Sequence, residues 1–274
     1  LMISPHPTYS PRGTPISVLN RCCALCALGH EIDLVTYGIG MDVPVAGLTY
    51  LRAPVPGIRR VKVGPSASKV PLDLAVFIKA TILAIRGRRR YDVIHSHEEA
   101  GIVGAIISRI VRLPHVYDMG NDLSVVMANY GYSPRHVLTR VAVATETATV
   151  RGSDSVIAHF PSIAVRVAGI AQGRIPATVV ANVPIEAPAV QALASELAST
   201  WSPDALPIVL YTGTLEKYQG VPALVEAVGL LRLGRVKCRL IVVGGDVEQQ
   251  DELRSLAAEL GIEDTVSVVG AVSQ

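Results

Sequence analysis

The stretch Ile208-Val-Leu-Tyr-Thr-Gly-Thr-Leu-Glu-Lys-Tyr-Gln-Gly220 reads as strand, tight loop and helix start. Ile208 to Tyr211 is a short apolar run suited to a parallel strand buried on both faces. Gly213 permits a turn that a Cβ would obstruct, and Gly220 with Pro222 marks the start of an apolar-periodic helix over Val221 to Leu231. A helix N-terminus beside a glycine turn offers unpaired amides and a positive dipole end to an anion, and Lys217 adds a full charge. An ordinary strand-to-helix loop carries the same pattern, so the stretch points to an α/β fold and leaves the ligand open.

The bulk composition agrees. Of 274 residues, 50% are hydrophobic, 18% charged and 4% aromatic, which suits Val/Ile/Leu/Ala-rich parallel sheets covered by helices. The length allows one large or two ordinary α/β domains. A net charge of +2, with no basic stretch interleaved with aromatics, excludes nucleic acid as the expected partner. Cys22, Cys23 and Cys26 fall inside one apolar helix, and Cys238 stands alone, so all four read as small buried hydrophobes in a reducing compartment. Neither a leader segment nor a membrane-spanning run is evident, and the expected location is cytoplasmic.

Outward from the opening stretch, the chain alternates strands and helices. Leu1 to Ser4 reads as the end of a first strand. The loop Pro5-His-Pro-Thr-Tyr-Ser-Pro-Arg-Gly-Thr-Pro15 leads into a helix over Ile16 to Leu28, closed by Gly29. Strands are expected over Glu31 to Tyr37 and Thr49 to Arg52, and residues 54–69, with Arg59, Arg60, Lys62 and Lys69, read as a surface loop. An apolar helix over Pro71 to Arg86 ends in Arg86-Gly-Arg-Arg-Arg90. Such a basic end complements the helix dipole, and it also motivates peripheral contact with an anionic membrane face.

Tyr91-Asp-Val-Ile-His-Ser-His-Glu-Glu99 delivers polar groups to a strand's carboxyl end, the edge where open α/β sheets bind ligands. Alternation places His95 and His97 on one side and Ser96 and Glu98 on the other, too few ligands for a metal. Pro114 to Asp122 is a further strand with a polar tip. Asn129 to Pro134 reads as a loop able to lie over an acceptor, and the long helix after it carries one inward candidate, Glu146. Strands at Ser153 to His159 and Ala177 to Asn182 complete a doubly wound domain over 1–186, and a helix over 189–200 bridges to the second domain, 187–274. There, Lys237 to Val243 is a strand ending in Gly244-Gly245-Asp246, followed by a helix over Val247 to Leu260 and a strand at Thr265 to Val269.

Tyr211-Thr-Gly-Thr-Leu-Glu-Lys-Tyr-Gln-Gly220 with the following Ala-Leu-Val-Glu-Ala helix resembles the nucleotide-sugar domain of family 4 retaining glycosyltransferases, which have the GT-B fold of two Rossmann-like domains. The His-x-His-Glu-Glu segment at 95–99 and Asn182-Val-Pro fall in the family's order. The resemblance implies transfer of a sugar from a nucleoside diphosphate of the UDP or GDP type to an acceptor between the domains, with retention, and with neither cofactor nor metal. It implies a donor set of Gly13, Thr14, Gly213, Thr214, Glu216, Lys217, Gly220, Gly244 and Gly245. It makes His97, Glu98, Asp118 and Lys217 the catalytic candidates, and Asn121, Asp122 and Tyr130 the acceptor candidates.

The chain departs from the pattern in three places. Gly120 stands where many relatives have a histidine, Thr214 and Gln219 replace the usual Arg and Lys, and the chain ends before the family's Glu-x7-Glu helix. The second domain is therefore expected to be incomplete and the chain to lack turnover by itself. A nucleotide-sugar epimerase of the same fold, using Asp118, His97 and Glu98 as acid and base, and a non-catalytic sugar or nucleotide binder are the rival readings. An NAD-dependent dehydrogenase is disfavoured, because no G-x-G-x-x-G follows the first strand.

Overall fold

The computed structural model describes residues 1–10, 13–58, 61, 66, 68–182 and 206–270. The domain boundary expected at 186/187, the helix over 189–200, and Arg59, Arg60 and Lys62 lie outside them. The described residues form two compact units, one on 1–10 and 14–182 and the other on 206–270 together with Gly13.

The first unit is a seven-stranded sheet in the order β3-β2-β1-β4-β5-β6-β7, with every neighbour parallel. The strands are β1 Met2–Ile3, β2 Ile32–Tyr37, β3 Leu48–Ala53, β4 Ile94–His97, β5 His115–Met119, β6 Ser155–Ala158 and β7 Ala177–Val179. Six helices connect them: α1 Gly13–Ala27, α2 Lys69–Arg86, α3 Gly101–Val111, α4 Leu123–Asn129, α5 Val137–Gly152 and α6 Pro161–Ala171. Ile3 sits between Val35 and Ser96, so strand order reverses between β1 and β4. That reversal opens a crevice at the strands' carboxyl ends.

Apolar alternation explains the core on one face, where Ile3, Val35, Leu72, Val76, Ala80, Ala84, Ile94 and Ile107 pack together. β2 is buried throughout, including Asp33 and Thr36. Asp33 escapes the cost of burial because the Tyr91 hydroxyl donates to it at 2.7 Å and Arg90 lies 3.1 Å away. Four details differ from expectation. α2 begins at Lys69 rather than after it, and Val61, inside the presumed surface loop, is buried against this core. α4 was not foreseen; Asp122 caps it by accepting from the Ser124 amide. All four cysteines are free, as the composition implies, yet only Cys22 and Cys238 are buried.

The second unit holds β8 Ile208–Gly213, α7 Val221–Leu233, β9 Arg239–Gly244, α8 Val247–Glu259 and β10 Val266–Val269. Its sheet is parallel, in the order β10-β9-β8. Val221, Val225 and Val228 on α7 meet Leu240 and Val242 on β9 and Leu253 on α8.

Candidate functional site

At the crevice of the first unit, side chains from five separate segments meet. Asp118, on β5, has no exposure. Its carboxylate takes His159 Nε2 at 2.5 Å, Arg21 Nε at 3.1 Å and His95 Nε2 at 3.3 Å. On the far side of His159, Nδ1 lies 3.1 Å from the Asn182 amide nitrogen, and Asn182 Oδ1 accepts from the Ser17 hydroxyl at 2.7 Å. This chain of contacts sets the tautomer: His159 carries its proton on Nε2 and accepts at Nδ1. Burial works against the Asp118 charge, but His159 and His95 outweigh it and hold the carboxyl well below the ordinary range.

Above this pair stands His97, 2% exposed. Its ring lies edge-on to His6 at 5.9 Å and to His159 at 5.7 Å. Neither ring nitrogen has a hydrogen-bond partner. Burial pushes the imidazole down to about 4, so it is neutral near pH 7, with one donor and one acceptor to offer.

Glu98 does not take the side that alternation assigns it. Its φ of 45° starts the 3-10 turn Glu98–Ala100 and brings its carboxylate back toward His97. There it lies 3.3 Å from His6 Nε2 and accepts from the Asn121 amide at 2.7 Å. Burial would raise the carboxyl, yet His6, His97 and Asn121 prevail and hold it at about 2. His6 is the counterpart: burial lowers it, and Glu98 and Glu99 more than offset that, leaving its pKa raised.

Two triads, His6–His97–Glu98 and His97–Asp118–His159, each bring ligand-type atoms within 4.8 Å of one another. The sequence reading counted too few ligands because His6 and His159 are remote from His97 in the chain.

The structure therefore brings His97, Glu98 and Asn121 together and removes others from contact. Asp118 is enclosed by its partners, so it positions His159 and Arg21 rather than touching a substrate. Asp122 accepts from the Ser124 amide at the start of α4 and pairs with Arg166, 2.8 Å away. Tyr130 closes α4. Glu146 is inward as expected, but it accepts from the Leu123 amide and from Arg166 as a structural anchor. A Cβ at Gly120 would lie 2.8 Å from Glu98 Oε1 and 3.2 Å from His159, so a larger residue there would have to displace the Glu98 carboxylate. Arg21, His6 and His159 were missed; the one available signal was that His6 and His159 follow strand ends.

Burial of neutral histidines has a pH consequence. His97 and His115 are both pushed to about 4 by burial, against about 6.5 in an unfolded chain. Between those values the unfolded chain binds protons that the folded chain refuses, so stability rises with pH across this window and is lost on acidification. His6, with its raised value, acts above pH 6.5, where its contribution fades as pH rises. Urea unfolding is expected to show up to about 2–3 kcal/mol of lost stability per pH unit below pH 6.5. A flat unfolding midpoint across that range would rule out neutral burial.

In the second unit, β8 and β9 end in register, Gly213 opposite Gly244, and both following loops lie at the sheet's carboxyl edge. The Tyr211 hydroxyl donates to the Thr214 carbonyl at 2.6 Å and Leu215 turns into the core. Lys217 stays exposed on the short turn Lys217–Gln219. Gly220, at φ 72°, leads α7 with no side-chain cap, so the first amides of that helix are free of side-chain partners. α8 differs: Asp246 and Gln249 form a capping box, in which each side chain accepts from the other's backbone amide. The Glu216 carboxylate accepts from the Gln249 side-chain amide at 3.5 Å. Gly13 and Thr14 open α1 in its first turn.

Residues 12–186 match the family described as "Glycosyl transferase 4-like domain", and residues 196–274 match "Glycosyl transferases group 1". No curated protein matches the chain. Among solved structures, sucrose-phosphate synthase from Thermosynechococcus elongatus is similar with a TM-score of 0.68 and 18% identity, over 99% of this chain and 71% of that one. WaaG, a glycosyltransferase involved in lipopolysaccharide biosynthesis, gives 0.67 and 14%, over 98% and 70%. HepE from Anabaena, in complex with UDP, gives 0.59 and 19%, over 99% and 69%. The fold they share with this chain is GT-B. Because the first family match takes in β2 to β7 and more than half of the chain, this protein is a member of the glycosyl transferase 4-like family.

Proposed function

We propose that the protein takes part in glycosyl transfer from a nucleoside-diphosphate sugar to an acceptor hydroxyl, with retention. The observation that carries this reading is the contrast in the second unit: the α7 N-terminus is left uncapped beside Lys217, while the neighbouring α8 is closed by its own side chains. In the reaction, the acceptor oxygen bonds to the anomeric carbon as the bond from that carbon to the diphosphate oxygen breaks. The electron pair stays on the departing phosphate, whose oxygen takes up the proton released by the acceptor hydroxyl. Charge therefore builds on the phosphate, where the amides of Gly213 and Thr214, the α7 dipole and Lys217 act on it. Gly13 and Thr14 offer amides at the start of α1. His97 is suited to sugar hydroxyls, since its two unpartnered nitrogens call for one donor and one acceptor, and Glu98 and Asn121 lie beside it.

The epimerase reading needs a carboxylic acid that exchanges its proton near neutral pH. Glu98 and Asp118 are both held ionised, which favours the transferase. The use of UDP in the HepE complex makes UDP the first donor base to test. Titration calorimetry of the chain with UDP and GDP is expected to show binding to one of them. Lys217→Ala should weaken it roughly tenfold or more, the scale of a lost charge-assisted hydrogen bond. Binding that is absent for both nucleotides, or indifferent to Lys217→Ala, removes the proposed donor site.

A further inference from the structure

α2 is apolar on the wrong side as well as the right one. Its inner face, Leu72, Val76, Ala80 and Ala84, is buried in the core. The opposite face carries Val70, Leu74, Ile78, Ile82 and Ile85, which are 43–67% exposed. These five positions fall within one stripe when turned at 100° per residue, where a surface helix ordinarily places charges. The charged side chains of α2 lie elsewhere. Asp73 accepts from Tyr37, Lys79 donates to the Arg52 carbonyl, and Lys69 lies near Glu99. α3 packs beside α2 and adds Ile106 and Ile110, both more than half exposed. Together they form a contiguous apolar face of the kind that marks an interaction surface.

The basic groups sit at one end of it. Both helices run back from the strands' carboxyl ends, so their last residues share the opposite edge of the sheet. Arg86, Arg88 and Arg89 are exposed there, with Arg112 just beyond α3, and the side chain of none of the four has an ion pair or hydrogen bond among the described residues. Arg90 is different: it is paired with Asp33.

We infer that the α2–α3 face, from Val70 to Arg89 with Ile106 and Ile110, is a docking surface for an anionic lipid bilayer, on which α2 lies in the plane of the interface. Aliphatic side chains enter the headgroup boundary while arginines meet lipid phosphates. Among the described residues no helix is long and apolar enough to cross a membrane, so the contact is peripheral. A second copy of the chain fits this surface less well. In a two-fold contact the face meets itself, and neither helix offers a free carboxylate to answer the arginines, since α3 has no acidic residue and Asp73 is engaged; exposed Asp92, just past Arg90, is one negative charge against four arginines.

The test is co-sedimentation of the whole chain with phosphatidylcholine vesicles, with and without about one third anionic phosphatidylglycerol. Binding is expected only with the anionic lipid, and high salt should weaken it without abolishing it, because apolar insertion is not screened. Changing Arg86, Arg88 and Arg89 to Ser should reduce partitioning roughly a hundredfold. The pair Ile78→Ser and Ile82→Ser should reduce it roughly tenfold or more. All five positions are exposed, so thermal unfolding of both variants, followed by circular dichroism, should match that of the parent and separate lost docking from lost folding. Failure to sediment with anionic vesicles, or sedimentation that ignores the isoleucine pair, overturns the assignment. So does a dimer in sedimentation equilibrium that the same pair dissociates, since a second copy would then own the face.

Discussion

Gly244→Ala is expected to destabilise the second unit by about 3–5 kcal/mol, among the largest effects of any single alanine in the chain. The reason lies in backbone rather than ligand. Gly244 has a φ of 130°, where side chains with a Cβ are strained. A Cβ built on it would lie 1.9 Å from the Gly213 carbonyl oxygen and 3.0 Å from the carbonyl carbon. Both atoms are main chain, paired in the last rung between β8 and β9, so relief requires the strand ends to part. Gly245→Ala is the control. Its φ of 71° also disfavours a side chain, but the added Cβ would meet the Leu215 side chain, with its Cδ1 at 2.4 Å, and a side chain can turn aside. About 1–2 kcal/mol is expected there. Hydrogen exchange over 206–244 resolves the two, because only Gly244→Ala should open the ends of β8 and β9. Equal protection in both variants would refute the backbone account. A ligand-only role for the glycine pair predicts that equality, so the experiment also separates folding from nucleotide binding.

That pair shows where sequence reasoning succeeds and where it stops. Gly213 and Gly244 were legible as strand-end glycines, since each follows an apolar run. That they face one another depends on register, which no local pattern states. The same division runs through the first unit. Ile32, Leu34, Val35 and Tyr37 identify β2 because they supply the apolar side chains a buried strand needs, whereas β4, Ile-His-Ser-His, is legible only from its polar tip at a strand's carboxyl end. Gly220 and Pro222 mark the start of α7 because their backbone preferences are local. The Asp118 cluster was not legible as a cluster: Arg21 lies 97 residues from Asp118 and His159 lies 41 away. Glu98 was placed on the wrong side because strand alternation ends at His97, and a left-handed φ at a non-glycine residue leaves no mark in composition. The stripe on α2 was read only as a strongly apolar helix. Which of its two apolar faces is buried is a fact about packing.

The second large effect is Asp118→Ala, expected to cost the first unit about 3–5 kcal/mol, the range for removing one member of a buried ion pair. Arg21, with a side chain only 11% exposed, would be left charged without its partner, and His159 would lose an acceptor at 2.5 Å. Asp118→Asn is the more informative variant. A guanidinium cannot accept a hydrogen bond, so the new amide must turn its oxygen to Arg21 and its NH2 to His159. His159 can oblige only by moving its proton from Nε2 to Nδ1. Nδ1 then faces the Asn182 amide as a donor, and Asn182 must flip to present its oxygen. That flip turns the Asn182 NH2 toward the Ser17 hydroxyl, which donates to Oδ1 at 2.7 Å in the parent and can reverse its role to accept instead. One buried charge thereby sets the direction of a hydrogen bond three links distant. The expected signature is the position of the proton on the His159 ring: nitrogen-15 NMR should find it on Nε2 in the parent and on Nδ1 in Asp118→Asn. The same tautomer in both proteins would mean that the links act independently and that Asp118 does not set it.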